Sequence, residues 1–141
     1  MNALILNWQQ CYQSGATKCG GKGWNLARLS RYGFAVPSGA VVVADLYKQV
    51  MAKKSIVGLI NSCVALSADK VLEPQAITLL DAIQEGIRST GLPGSFDSEL
   101  QQFLDQYQFN HTKLAVRSSA TQEDGVATSF AGIHETRLNV T

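Results

Sequence analysis

An α+β fold, with a small sheet flanked by several helices, is the fold class that the sequence predicts. Short apolar and β-branched runs near both ends of the chain have the length of strands, whereas the middle carries apolar residues at helical spacing. The composition, with 45% apolar and 16% charged residues, is that of an ordinary globular protein. A chain of 141 residues can bury a core without disulfides or metals, so we expect one domain or a part of a larger one.

The first third of the chain is predicted to run strand, loop, helix, strand. Ala3–Trp8 is short, apolar and β-compatible, and the polar stretch Gln9–Lys18 is predicted to be a loop. From Lys22 the residues suit an amphipathic helix, which Gly33 is predicted to terminate as a C-cap. The β-branched run Gly39–Val43 is predicted to be a buried strand.

The rest of the chain is predicted to be helical until two short strands near its end. Apolar residues recur at helical spacing, a proline fits a first turn, and acidic or hydroxyl residues mark helix starts. The predicted elements are a helix from Asp45, a helix over Ser55–Leu66, a helix with Pro74 in its first turn that ends before Gly91, a helix capped by Asp97 or Ser98, and strands at Leu114–Arg117 and Thr136–Val140.

Charge and cysteine content limit the classes of partner and compartment. Twelve Lys and Arg stand against eleven Asp and Glu, so a net charge of +1 indicates no nucleic acid partner, and any anion site must be local. No apolar run approaches the ~20 residues of a membrane span, so no membrane partner is expected. Cys11, Cys19 and Cys63 lack metal spacing and no signal peptide is visible, which predicts a cytoplasmic protein.

The first candidate site is Gly20-Gly-Lys-Gly23, called the glycine motif below. It brings backbone N–H groups and one ammonium to a predicted helix N-terminus, where the helix dipole and unsatisfied donors favour phosphate. The motif is not a Walker A sequence, because the GxxxxGK[ST] spacing is absent. Taken alone, such a motif is more often a flexible turn with a solvated lysine.

The second candidate is Arg117, at the end of a predicted strand and before Ser118 and Ser119. A guanidinium fork, two hydroxyls and backbone amides suit phosphate oxygens. The alternative is an ion pair from Arg117 to Glu123 or Asp124 that holds the loop, and the residues alone leave both open. The serines lack a nucleophile elbow and the two histidines lack ligand spacing, so no catalytic residue and no metal ligand is predicted.

Separated motifs in this chain resemble one known family. They are Gly20–Leu29, Gly33-Phe-Ala-Val-Pro37, Ala115–Asp124 (the arginine motif) and Ser129-Phe-Ala-Gly132. Their order and spacing resemble the N-terminal nucleotide-binding region of phosphoenolpyruvate synthase and pyruvate phosphate dikinase, over nearly the whole chain. The resemblance implies the N-terminal part of an ATP-grasp-like domain, an α+β module whose two halves close over ATP.

The resemblance also implies roles for the site residues. Lys22 and Arg117 match the lysine and arginine that contact ATP phosphates in that family, and Gly21, Gly23 and Ser118 complete the predicted nucleotide-binding set. Mg²⁺ is expected with ATP, on ligands outside this chain. The family passes a phosphoryl group from ATP to a histidine on a separate domain and then to pyruvate or another acceptor. The chain is thus predicted to be the ATP-binding portion of such a phosphotransferase, inactive alone.

Other partners are expected outside the chain, which stops at Thr141 inside a predicted strand and so is expected to be a fragment. The resemblance implies the C-terminal half of the nucleotide-binding domain, a phosphohistidine domain and an acceptor-binding domain as partners of this chain.

Gly125–Thr128 and Ile133 depart from the family pattern. The first departure should loosen the loop, and the second should remove a polar contact. Two alternatives stay open: a stand-alone nucleotide-sensing or partner-docking module, and a folded remnant whose motifs serve only structure.

Overall fold

The structure of the chain, a computed structural model, describes residues 3–66, 73–119 and 136–141. These residues form α-helices and two small antiparallel sheets, which confirms the predicted fold class. In chain order the elements are β1 (Ile5–Asn7), α1 (Trp8–Ser14), α2 (Ala16–Arg31), β2 (Ala40–Val42), α3 (Ala44–Met51), α4 (Lys54–Val64), α5 (Pro74–Ser89), α6 (Gly94–Gln106), β3 (Leu114–Arg117) and β4 (Thr136–Val140). Of the helices in this described part, none is long and apolar enough to cross a membrane.

The chain divides into two compact units. The first unit comprises residues 1–45 and 93–141 and contains both candidate motifs, and the second comprises residues 46–92. In the second unit α4 packs against α5, where Ile56 is 0% and Ala76 is 2% exposed. The helices predicted from Asp45, over Ser55–Leu66 and from Pro74 are confirmed, with ends that differ by one or two residues.

The first sheet joins the two apolar runs predicted as strands near the N-terminus. β1 pairs antiparallel with β2, with Leu6 opposite Val41, and both side chains are buried in the core of the first unit. The Glu99 carboxylate of α6 accepts hydrogen bonds from the N–H of Leu4 at 2.6 Å and of Ile5 at 3.3 Å. These two bonds tie α6 to the start of β1.

The predicted loop over Gln9–Lys18 is wrong, because most of it is helix. Asn7 and Gln10 form a capping box: the Asn7 side chain accepts from the Gln10 N–H at 2.9 Å, and the Gln10 side chain accepts from the Asn7 N–H at 3.0 Å. This cap and the full burial of Cys11 against α2 outweigh the polar composition of the segment. Gly15, at φ 80°, separates α1 from α2.

The predicted end of α2 at a glycine is confirmed. Gly33 takes φ 85° just after the helix, and its N–H bonds to the Ser30 carbonyl at 3.1 Å. The Phe34 N–H bonds to the Leu29 carbonyl at 3.1 Å. Together these are the two hydrogen bonds of a Schellman motif, which satisfies carbonyls left over at the end of the helix.

The predicted start of α6 is wrong by four or five residues, because the observed N-cap is Pro93. A cap at Asp97 or Ser98 was predicted, whereas the helix begins at Gly94. Phe96, in the first turn, is buried, and burial of an aromatic side chain outweighs the polar start signal. At the other end of α6, Gln108 takes φ 56°, the left-handed conformation that favours glycine.

The second sheet belongs to the first unit, and its strand β3 contains the first residues of the arginine motif. β3 and β4 lie at the predicted residues and pair antiparallel, with Arg117 opposite Thr136. The register shifts between Leu114 and Val116, and Asn139, at φ 57°, lies in the part of β4 that takes up the extra residue. The strand therefore ends at Arg117 and leads directly into Ser118.

Candidate functional site

The glycine motif lies at a break inside α2. Gly20 has φ 71° and ψ 163°, so one turn of helix ends before it and a new helical segment starts after it. This backbone region is essentially restricted to glycine. Lys22 and Gly23 lie in the first turn of the new segment, in agreement with the predicted position of the motif at a helix start.

Ser119 connects the arginine motif to this helix start. Its hydroxyl accepts a hydrogen bond from the Gly23 N–H at 2.9 Å and donates one to the Cys19 carbonyl at 3.0 Å. We call these two hydrogen bonds the Ser119 bridge. They span 96 and 100 residues of sequence, and they bring the glycine motif next to Ser119 of the arginine motif.

The glycines of the motif are needed for close packing. A Cβ on Gly20 would overlap the Ser119 carbonyl group and hydroxyl. A Cβ on Gly23 would lie 2.7 Å from Val41 Cγ2, a separation that real Cβ atoms essentially never show. The absence of side chains at these two positions therefore lets the second motif approach the backbone of the first.

Lys22 and Arg117 are close in sequence to the residues of the Ser119 bridge. Lys22 precedes Gly23, and Arg117 is two residues before Ser119, so standard backbone dimensions limit their Cα–Cα distance to at most about 15 Å. Lys22 is half-buried, and Arg117 is exposed at the end of β3. The hydrogen bond to Gly23 therefore places the backbones of the two predicted phosphate-binding cations near each other.

Two buried polar atoms beside the Ser119 bridge have no hydrogen-bond partner among the residues that the structure describes. They are the Ser118 Oγ, next to Ser119, and the Trp24 Nε1, next to Gly23. An unsatisfied buried polar group costs about 1–3 kcal/mol, so such groups are rare and call for an explanation. A hydrogen-bond partner for either atom would remove this cost.

Trp24, which follows the glycine motif, was not among the predicted site residues, because it fits the apolar face of α2. The Arg28 guanidinium lies over its ring at 4.9 Å, and over the Tyr32 ring at 6.0 Å. Arg28 also donates to Asn25 Oδ1 at 3.4 Å. These cation–π contacts hold the indole in place, and the spacing of Trp24, Arg28 and Tyr32 by four residues was the signal that could have revealed them.

Cys11 and Cys19 lie buried behind the glycine motif, with 0% and 1% exposure. Burial, together with the neighbouring Cys19 thiol, raises the pKa of Cys11 far above its ordinary value. The Cys19 Sγ donates to the Cys11 carbonyl at 3.7 Å. A buried thiol with a raised pKa, such as that of Cys11, is a poor nucleophile.

Several residues of the sequence analysis lie outside the described ranges. They are Glu123 and Asp124, the departing segment 125–128, the Ser129–Gly132 motif, Ile133 and His134. An ion pair of Arg117 with Glu123 or Asp124 therefore stays a prediction. Among residues 3–66, 73–119 and 136–141, no group of three or more His, Cys, Asp or Glu could hold a metal ion.

Comparison with known proteins relates the two motifs to a family of nucleotide-binding domains. Residues 16–141 match the family model described as pyruvate phosphate dikinase, AMP/ATP-binding domain. The chain is 34% identical over 139 residues to the rifampicin phosphotransferase of Streptomyces sviceus, which covers 96% of this chain and 16% of that protein. It is also 34% identical over 143 residues to the rifampicin phosphotransferase of Bacillus cereus, covering 99% and 16%.

A third relative is named for a different activity. The probable phosphoenolpyruvate synthase of Staphylothermus marinus is 34% identical over 131 residues, which cover 86% of this chain and 15% of that protein. The chain thus spans about a sixth of the length of these curated relatives. The family match includes both the glycine motif and the arginine motif.

Proposed function

Because the chain belongs to the pyruvate phosphate dikinase AMP/ATP-binding domain family, we propose that residues 1–141 are the N-terminal, ATP-binding part of a phosphotransferase. The phosphoryl group of ATP would pass to a histidine on a separate domain and then to pyruvate or a related acceptor. The observation that carries this proposal is the Ser119 bridge, which joins the two motifs next to Ser118, whose buried hydroxyl has no partner in the part of the chain that the structure describes.

The residues at the bridge suit the phosphates of ATP. Lys22 and Arg117 would neutralise phosphate oxygens, and Ser118 would donate its hydroxyl, which has no partner among the described residues. Gly21 would let the nucleotide approach the backbone, whereas Gly23 would act by its close packing against Val41 and Ser119 and by the hydrogen bond from its N–H to Ser119. ATP supplies the phosphoryl group, and what these residues contribute is position and charge neutralisation, on which phosphoryl transfer mainly depends.

We propose that the metal ligands, the acceptor site and the other partners lie outside this chain. Mg²⁺ would accompany ATP on ligands outside residues 1–141. Relatives named for rifampicin and for phosphoenolpyruvate leave the acceptor open between pyruvate and another alcohol or enol. The remaining half of the nucleotide-binding domain, a phosphohistidine domain and an acceptor-binding domain would complete the enzyme. Three unpaired cysteines suit a cytoplasmic compartment.

Nucleotide titration with matched variants tests this function. Mg²⁺–ATP added to the chain should shift the backbone amide resonances of the glycine motif and of residues 117–119. Lys22→Ala and Arg117→Ala should each weaken ATP binding by about 1.5–3 kcal/mol, the value of hydrogen bonds to charged groups, which is roughly 10- to 150-fold in Kd. Lys54→Ala and Arg31→Ala remove the same charges from exposed positions and serve as controls.

The outcomes separate the proposal from its alternatives. If millimolar ATP shifts no resonance in either motif, nucleotide binding by this chain is refuted. If all four variants bind ATP equally well, the motifs serve only structure. If ATP binds but a longer protein that carries this chain forms no phosphohistidine from ATP, the stand-alone sensing module replaces the phosphotransferase.

A further inference from the structure

We infer that Ser119 is a positioning residue that sets the distance between Lys22 and Arg117 and does not itself touch the nucleotide. The inference rests on the proposed ATP site and names a residue outside the predicted binding set. Its basis is the Ser119 bridge, which is the hydrogen-bonded connection between the two motifs that the described residues show.

Both hydrogen bonds of the Ser119 hydroxyl are made within the protein. A serine hydroxyl has one donor, and here that donor goes to the Cys19 carbonyl at 3.0 Å. It accepts from the Gly23 N–H at 2.9 Å. With its proton engaged, the Ser119 hydroxyl has no hydrogen to give to a phosphate oxygen, whereas the neighbouring Ser118 hydroxyl is buried and has no partner within residues 3–66, 73–119 and 136–141. The two adjacent serines therefore divide the roles of ligand contact and positioning.

Ser119 performs the task of a helix N-cap from a distant part of the chain. A local N-cap side chain normally accepts from the third N–H of its helix. Gly20 begins the new segment of α2 without a side chain, and Gly23 is the third residue after it. The Ser119 hydroxyl takes this N–H instead. The helix segment that bears Lys22 is thereby fixed to the strand end that bears Arg117.

Removing the hydroxyl would leave two groups unpaired in a buried place. Cys19, Gly20 and Gly23 are all buried, so water cannot readily replace the bond to the Gly23 N–H or to the Cys19 carbonyl. The helix start and the strand end would then move relative to each other. The two cations would no longer act on one polyphosphate from a fixed separation.

Amide hydrogen exchange and ATP titration of the same variants test the inference. In the unmodified chain the Gly23 amide should be protected, and Ser119→Ala should speed its exchange at least about tenfold. Ser119→Ala should raise the Kd for Mg²⁺–ATP about tenfold, and Ser119→Thr, which keeps the hydroxyl, should restore both values. Ser89→Ala removes a hydroxyl that donates to backbone carbonyls in the second unit, so it should change the ATP Kd by less than about twofold.

Coupling between sites distinguishes positioning from a role in stability alone. If Ser119 sets the separation of the cations, Lys22→Ala should weaken ATP binding less in the Ser119→Ala background than in the unmodified chain. Equal losses in both backgrounds would refute the inference while the ATP site stands. Should Ser119→Ala fail to fold, Ser119→Cys keeps the size with a weaker hydrogen-bonding group and is compared instead.

Two further results would also be decisive. Rapid exchange of the Gly23 amide in the unmodified chain would show that the Ser119 bridge does not form, whether or not ATP binds. Protection of that amide together with no ATP binding at millimolar concentration would refute the proposed function, and with it the role of the bridge in nucleotide binding.

Discussion

Replacing Gly20 by alanine should destabilise the first unit far more than the same change at Gly33. Both glycines have positive φ, 71° at Gly20 and 85° at Gly33. A Cβ at Gly33 meets nothing within 4 Å, so Gly33→Ala carries only the conformational cost of about 1–2 kcal/mol. A Cβ at Gly20 overlaps the Ser119 carbonyl group, which is backbone and cannot rotate away.

The expected cost at Gly20 follows from two contributions. Its backbone region, essentially restricted to glycine, costs a non-glycine residue about 1–3 kcal/mol. Overpacking against rigid neighbours adds about 1–3 kcal/mol, so we expect Gly20→Ala to lower the free energy of unfolding by about 2–6 kcal/mol. That is a large part of the 5–15 kcal/mol typical of a domain.

Denaturant unfolding followed by tryptophan fluorescence measures this difference. Both tryptophans of the chain, Trp8 and Trp24, belong to the first unit, so their emission reports on the unit that contains the change. A Gly20→Ala chain that does not fold under conditions where Gly33→Ala does would also agree with the expectation. Equal losses of stability, within about 0.5 kcal/mol, would show that Ser119 does not pack against Gly20 and would refute the geometry of the site.

Two more predictions concern parts of the first unit away from the proposed nucleotide contacts. Gln108→Gly should raise the free energy of unfolding by about 0.5–1 kcal/mol, because glycine adopts φ 56° without strain; a loss of stability in denaturant unfolding would contradict this. Because burial raises the pKa of Cys11, the folded state holds the thiol proton more tightly than the unfolded state. The contribution of Cys11 to stability is thus fully present below about pH 9 and is lost as pH rises further, by up to about 1.4 kcal/mol per pH unit. Unfolding measured from pH 8 to 10.5 should show a steeper decline for the unmodified chain than for Cys11→Ala, and parallel curves would contradict the burial of an ionisable thiol.

Local patterns allowed much of the fold to be predicted from the sequence. The strand that ends at Arg117 and the end of α2 at Gly33 were both predicted, because each depends on residues close together in sequence. α1 was missed even though Asn7 and Gln10 have capping-box spacing, since the polar composition of the segment was given more weight than its start signal. The start of α6 was misplaced because burial of Phe96 is a tertiary effect.

The candidate site was predictable as two motifs but not as a hydrogen-bonded arrangement. The glycine motif and Arg117 could be predicted from the sequence to bind the same nucleotide, because the residue types of both suit phosphate. The separate roles of Ser118 and Ser119 depend on which hydroxyl meets the Gly23 N–H, and no local pattern encodes a bond across 96 residues. The buried position of the Trp24 Nε1 also depends on tertiary structure and could not be predicted from local sequence.

The order of the two units along the chain has a consequence for folding kinetics. Residues 46–92 form a unit of their own between the two sequence segments of the first unit, so the Ser119 bridge closes a loop of 96 residues. The entropy of closing such a loop costs about 4 kcal/mol, and prior folding of residues 46–92 shortens the effective loop by about half and saves roughly 0.6 kcal/mol. We therefore expect the Ser119 bridge to form late, after the intervening helices.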